Sequence, residues 1–276
     1  MKMKTKQYIK NVTKYLILTL IAIIMFFPIY WMLACSLMTR QEVVLIPPHL
    51  YPHFPTLKNY LYLFSHNNFL RYMFNSIIVV VISTLLSVFT SVIAGYIFGK
   101  FEFKGKNAMF VMVLATTMVP FQTYMVPFYL MVRDMGLINT YTGIILPLIV
   151  TSFGIFFIRQ NTSSIPDEYL DAARIDGAGE WYLFRKLIVP MMSSSISALT
   201  VFQFMFGWKF FIWPLIITDS PKKFTLEIGL QIFASQNPLD YQLQMAGAVL
   251  GMLPILIIFL IFRKRFIGGI ALTGIK

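Results

Sequence analysis

Polar and apolar positions along this chain fall into long separate blocks. Six runs carry almost no charge: residues 15–37, 72–99, 107–132, 135–158, 187–218 (interrupted only by Lys209) and 241–262. Each matches or exceeds the length of about 20 apolar residues that a helix needs to cross about 30 Å of hydrocarbon. A backbone in lipid must pair its amides within its own segment, so these runs are predicted as helices. Barrel strands would instead show short alternating segments. The pattern predicts an all-α, polytopic membrane protein with six spans. A polar segment, 1–14, precedes the membrane domain, 15–262, and a tail, 263–276, follows it.

Composition agrees with the pattern. Of the 276 residues, 58% are hydrophobic and 12% charged, and the mean hydropathy is +0.72. Ordinary globular chains carry about 25% charged residues. A soluble enzyme, a disordered tail and a secreted disulfide scaffold are excluded. The net charge of +12 would suit nucleic acid, but its distribution points elsewhere. With the N-terminus inside, sixteen of the 23 Lys and Arg residues fall in inner segments and six in outer loops. This positive-inside bias predicts that both termini are cytoplasmic. The basic charge is a topology signal, and no nucleic acid is expected.

Lys2, Lys4, Lys6, Lys10 and Lys14 ahead of an apolar run resemble a signal peptide. The run is too long for one, however, and no A-x-A site follows. Met32-Leu33-Ala34-Cys35 resembles a lipoprotein cleavage box. Tyr30 and Trp31 fit better as an aromatic belt at the outer interface, so an uncleaved helix is expected. Cys35 is the only cysteine, which leaves no intrachain disulfide.

The first outer loop, 38–71, holds Pro47, Pro48, Pro52 and Pro55, which favour an extended path. All three histidines, His49, His53 and His66, lie in it. Pro52 breaks the helical register that would pair His49 with His53, and no acid lies close in sequence, so solvated histidines are expected and no metal. Gly95 to Lys100 is the nearest approach to a phosphate loop, but its glycine spacing is short and no Ser or Thr follows the lysine. Gly95 and Gly99 read as a small-xxx-small pair for close helix packing. No nucleophile–base set can be assembled, so the chain is not expected to be a catalyst.

The inner loop 159–190 carries more local information. It holds Asp167, Glu168, Asp171, Asp176 and Glu180, five of the eleven acids in the chain. Ser163 or Ser164 would cap a helix, with Pro166 in its first turn. Asp167 and Glu168 suit the positive N-terminal end. Ile165, Tyr169, Ala172 and Asp176 recur at helical spacing as one stripe. Gly177 can adopt the left-handed conformation that ends a helix. Trp181 and Phe184 open a second short helix leading to Pro190. The acids argue against a helix lying on the negative inner leaflet, and Ala172 and Ala173 would let a partner approach the backbone closely.

This loop resembles the EAA motif of binding-protein-dependent ABC importer permeases: E-A-A, three residues, G, nine residues, I-x-L-P. Asp171-Ala172-Ala173 stands for E-A-A, Gly177 for the glycine, Leu187 for the isoleucine and Val189-Pro190 for L-P. Asp, Leu and Val are departures that keep the spacing. The resemblance runs from about Tyr15 to Lys276. It includes Asn75-Ser76, the segment 136–141, the segment 208–218 and the tail 269–276. The whole set is similar to the maltose-type second, smaller permease subunit of the carbohydrate-uptake branch.

The resemblance implies a type I importer fold and a path shared with a second, different permease subunit. It implies two cytoplasmic ATPase subunits that seat the EAA helix and an extracytoplasmic sugar-binding protein. No cofactor is expected on this chain, and ATP and Mg are expected on the ATPase. The coupling residues it implies are Ile165, Glu168, Tyr169, Asp171, Ala172, Ala173, Asp176 and Gly177. The tail 266–276 would reach the ATPase interface, and the last outer loop, 219–244, would reach the binding protein. A sugar, most simply an oligosaccharide, is the implied cargo, with glycerol-phosphate-type cargo as the other option. A bacterial cell membrane is the implied location, and the Lys- and Ile-rich composition suits a Gram-positive host.

The family usually reads W-N-x-F-x-W-P in span five, where this chain has Trp208-Lys209-Phe210-Phe211-Ile212-Trp213-Pro214. Charges within spans are functional candidates, which makes Trp208, Lys209 and Phe210 candidates for the translocation path. On a straight helix Lys209 lies nineteen residues past Pro190, about 28 Å, where it could instead snorkel to the outer interface. An ion-coupled secondary transporter is the rival reading. It would carry acids or histidines within its spans, and the six runs have none.

Overall fold

The computed structural model of the chain describes residues 2–66 and 68–273, with side chains from Lys10 to Ser65 and from Asn68 to Arg263. The described residues are helical and include no strand. In chain order the helices are α1 (Lys2–Leu37), α2 (Arg40–Val43), α3 (Lys58–His66), α4 (Phe69–Lys100), α5 (Lys106–Met118), α6 (Phe121–Asp134), α7 (Tyr141–Leu148) and α8 (Ser152–Ser163). They continue with α9 (Glu168–Ile175), α10 (Glu180–Met191), α11 (Ser193–Trp208), α12 (Ile212–Ile217), α13 (Leu226–Gln236) and α14 (Tyr241–Thr273).

Three of the six apolar runs are single helices long enough to cross a bilayer, within α1, α4 and α14. The other three runs are broken. Run 107–132 is α5 and α6, bent by 99°. Run 135–158 is a turn followed by α7 and α8, bent by 43°. Run 187–218 holds the end of α10, then α11 at 75° to it, then α12. By length and composition the described helices make three spans, or six if each bent pair is one. Pro120, Pro147 and Pro190 lie beside the breaks, where each removes an amide donor and crowds the preceding turn. The apolar side chains of α1, from Tyr15 to Phe27, are exposed, a surface suited to lipid.

The chain divides into two compact units, residues 1–69 with 230–252 and residues 70–229 with 253–276. In the first unit, α1 runs unbroken through Cys35, which is buried with Ala34 and Met38 against Trp31, Val43 and Met245. Thr39 caps α2 reciprocally with Glu42. The second Glu42 oxygen accepts the amides of His53 and Phe54 at 2.8 and 3.0 Å, which folds the proline-rich stretch back onto α2. The Thr39 amide bond, with those of Phe54 and His53, holds the Glu42 carboxyl down at about 2 against its burial. The acid that sequence proximity did not reveal therefore serves the backbone beside His53. The His49 and His53 rings lie 4.0 Å apart, and no three potential ligands cluster among the described residues. The His66 side chain lies outside the described residues.

In the second unit, α4 packs directly on α8. A Cβ at Gly95 would lie 2.5 Å from the Ile158 side chain and 2.9 Å from the Arg159 amide, and one at Gly99 would lie 3.0 Å from Thr162. This is the close packing expected of the pair. One apolar cluster (Tyr96, Ile158, Leu170, Leu183, Ile188 and neighbours) lies beneath the loop 159–190. Another (Val79, Val132, Ile144, Trp213, Ile217 and neighbours) holds α4, α6, α7 and α12 together.

Candidate functional site

The loop 159–190 is built on α9. The helix starts at Glu168, later than a serine cap would place it. Ser164 instead ends α8, its hydroxyl donating to the Asn161 carbonyl, and Asp167 at the start of α9 makes no capping bond. The reason lies at the end of α4. The Lys100 side chain is only 3% exposed, and its ammonium needs anionic and carbonyl partners. It donates to the Ile165 carbonyl and, at 2.5 Å, to the Asp167 carboxylate. That bond is the main cause holding the Asp167 carboxyl below its usual range.

The stripe Ile165, Tyr169, Ala172 and Asp176 divides, with only Ile165 meeting the protein. Leu170 is buried, and Ala173, Ile165 and Ala178 pack partly against the cluster below it. Tyr169, Ala172 and Asp176 are exposed, together with Glu168, Asp171 and Ile175, the last 87% exposed. Ala173 therefore belongs to the inner face and only Ala172 to the outer one. The exposed members of the stripe mark the outward face, and the core contacts come from Leu170 and Ala173 of the helix with Ile165 and Ala178 on either side of it. At the far end Gly177 has φ +85°, and the amides of Gly177 and Ala178 close the helix on Arg174 and Ala173.

A polar chain completes the seating. Arg174 donates to Glu180 at 2.9 Å and to Asp171 at 3.0 Å, and Glu180 accepts from the Tyr96 hydroxyl of α4 at 3.4 Å. The Glu180 bond raises the Arg174 pKa further. The second short helix, α10, begins at Glu180 with Trp181 and Tyr182 exposed, and passes through a π-helical stretch at residues 183–188. An exposed acidic and aromatic face is thus fixed to α4 at both ends, so displacing α9 must load α4. Sequence reasoning gave Lys100 and Tyr96 no part in this loop, because nothing local signals a partner 67 or 84 residues away.

At the opposite end of the second unit, residues that sequence comparison singled out without a role form one junction. Asn75 donates to the Lys222 and Phe224 carbonyls at 3.0 and 2.8 Å and accepts from the Tyr141 hydroxyl at 2.7 Å. Ser76 accepts the Leu226 amide. Gly136 and Asn139 turn the chain with positive φ, Thr140 caps α7, and the Trp213 indole donates to the Gly143 carbonyl at 2.9 Å. The loop after α12 is therefore pinned to α4 and α7.

The three span-five candidates separate. Trp208 is buried and stacks on Phe204. Phe210 borders an open cleft of about 580 Å³. Lys209 caps the C-terminus of α11 and is exposed. The 75° bend between α10 and α11 shortens the straight-helix depth for Lys209. Only the sixteen residues of α11, about 24 Å, count along that axis. An acid of this chain also feels its charge. Burial pushes the Glu227 carboxyl up, and Lys209 pulls it back.

Residues 91–268 match the family model described as binding-protein-dependent transport system inner membrane component. The chain belongs to this family. It is a permease component and a multi-pass inner-membrane protein. The arabinooligosaccharides transport system permease protein AraQ of Bacillus subtilis (strain 168) is 35% identical over 260 residues, 93% of this chain and 92% of that protein. The lactose transport system permease protein LacG of Rhizobium radiobacter is 30% identical, over 96% of each chain. A solved bacterial ABC transporter involved in the import of the acidic polysaccharide alginate shares the fold, with TM-score 0.81 at 20% identity over 95% of this chain and 98% of that one. Family membership goes against the ion-coupled alternative.

Proposed function

We propose that this chain is one of two permease subunits of an ATP-driven importer of a sugar, an oligosaccharide by preference. It crosses the membrane six times, each bent helix pair forming one span, with both termini cytoplasmic. The outer face of α9 docks in a cytoplasmic ATPase, an extracytoplasmic binding protein delivers the sugar, and a second permease supplies the other half of the path. The chain itself is non-catalytic, and ATP and Mg act on the ATPase. The tail segment 266–276, which would add a second ATPase contact, extends beyond the described side chains. The observation that carries this reading is the α9 arrangement: an exposed acidic, small-residue face on a helix tied by Lys100 and by Arg174–Glu180–Tyr96 to α4. The sugar relatives support the cargo class.

Copurification tests the assembly. The tagged full chain, extracted from its own membrane, should bring down an ATPase, a second permease and, with sugar present, a binding protein. A chain that elutes alone, or with soluble enzymes unrelated to ATP hydrolysis, would overturn it.

A further inference from the structure

The break between α5 and α6 and the break between α7 and α8 open onto one cleft. Its rim includes Thr116, Thr117, Tyr124, Ser152, Phe206 and Phe210. Both breaks lie near the middle of their apolar runs. Non-helical backbone at that depth is tolerated only against protein or a water-filled cavity. The uncapped first-turn amides of α6 and α8 would be costly against hydrocarbon. The cleft is thus unsuited to lipid.

Its chemistry is specific. Thr116 and Ser152 share a hydrogen bond of 2.6 Å between their hydroxyls, which joins the two breaks. The Thr117 hydroxyl donates to the Leu114 carbonyl, which leaves its oxygen free to accept. Behind the rim, Thr151 is fixed by Gln203 and, at 3.2 Å, by Ser87. The helices α6 and α8 both begin at the breaks without a side-chain cap, so each presents first-turn amide donors and a positive dipole end. Phe210 packs edge-on to Phe121 at 5.6 Å and stacks with Phe206 at 5.9 Å, forming an aromatic wall. No lining residue is charged. Aromatic walls with a few fixed polar groups are the make-up of small-ligand sites. The absence of charge and the supply of donors favour a neutral ligand rich in hydroxyl oxygens.

We infer that this cleft seats a neutral sugar ring of the cargo inside the translocation path, with the hydroxyls and helix N-termini on its oxygens and the Phe206–Phe210 wall on its apolar face. The inference rests on the proposed sugar import. It adds to the span-five candidates a site made mainly by the two helix breaks.

The test uses the full complex in a Cys35→Ser background, with arabinotriose, lactose and maltotriose as probes. Thr117→Cys should react with a small methanethiosulfonate reagent, and the sugar that is transported should slow that reaction at least fivefold. Tyr124→Phe, which removes one oxygen and keeps the ring, should raise the half-saturating sugar concentration threefold or more at unchanged complex abundance. A thiol that is unreactive, packed against a partner helix, or equally reactive with and without the transported sugar overturns the site. Where Thr117→Cys does not assemble, unchanged half-saturation in Tyr124→Phe overturns it. A wild-type complex that takes up none of these probes nor any other carbohydrate overturns the sugar reading itself. Intact uptake with an unprotected cleft overturns only this inference.

Discussion

Replacing Lys100 with Met keeps the aliphatic stem and removes the ammonium that seats the α9 loop. The lysine side chain is 3% exposed, and it donates to the Ile165 carbonyl and the Asp167 carboxylate. A hydrogen bond from a charged donor contributes about 1.5–3 kcal/mol. The Asp167 side chain is 74% exposed, so water takes over the carboxylate when the lysine goes. The Ile165 carbonyl is the loss that remains. That puts the cost of Lys100→Met at the lower end, about 1.5–2 kcal/mol, a factor of about 10–30 between seated and unseated loop. Hydrogen–deuterium exchange of residues 165–178 in the purified complex should accelerate by about that factor, with α1 unaltered, and uptake should fall. Asp167→Asn should do much less, because it removes only the exposed partner. Unaltered exchange in Lys100→Met, or a larger effect from Asp167→Asn, would refute this account of the seating.

At Gly177 nothing lies within 4 Å of where a Cβ would sit, so Gly177→Val costs only the strain of its positive φ, about 1–2 kcal/mol. It should lower ATP-coupled uptake at normal membrane abundance, while Gly177→Asn keeps most of it; normal uptake by the Val variant counts against the left-handed cap. Asn75→Ala strips two carbonyls and a hydroxyl of their partner, about 3 kcal/mol in all, and should expose residues 219–225 to limited proteolysis. Cleavage as slow as in wild type would show that the junction does not hold the loop. The Glu42 carboxyl, held at about 2 from an ordinary 4.5, stabilises the loop after α1 fully above pH about 4.5, and that contribution fades as pH falls toward 2. Pepsin cleavage within residues 44–54 should therefore rise over that window in wild type, while Glu42→Gln cleaves readily throughout; parallel curves would remove Glu42 from the account. In a Cys35→Ser background, Gln236→Cys should react with an impermeant thiol reagent from outside and Ile175→Cys only after permeabilisation, and the reverse pattern would invert the topology.

The α9 loop shows how far local signals reach. Gly177 in its left-handed turn, the acidic first turn and the helix itself were legible, because each is decided by a few neighbouring residues. The seating was not. Lys100 meets Ile165 and Asp167 across 65 and 67 residues, and only the packing of α4 on α8 through Gly95 and Gly99 brings them together. The same packing turned Ala173 inward and left Ala172 outside, a choice that helical spacing alone cannot make.

The sequence by itself determined that there are apolar runs and that they are helical, since lipid leaves a backbone no other partner. Which runs break was a tertiary decision. Pro120, Pro147 and Pro190 lie at breaks, yet Pro28, Pro127 and Pro254 sit inside continuous helices. A proline inside a helix costs an intrahelical hydrogen bond, and one at the start of a helix costs none. The helix gives way where the freed carbonyls find other donors: before the first break Val113 and Leu114 accept from the Thr116 and Thr117 hydroxyls, and at the second Ile149 accepts from Thr90 at 2.8 Å.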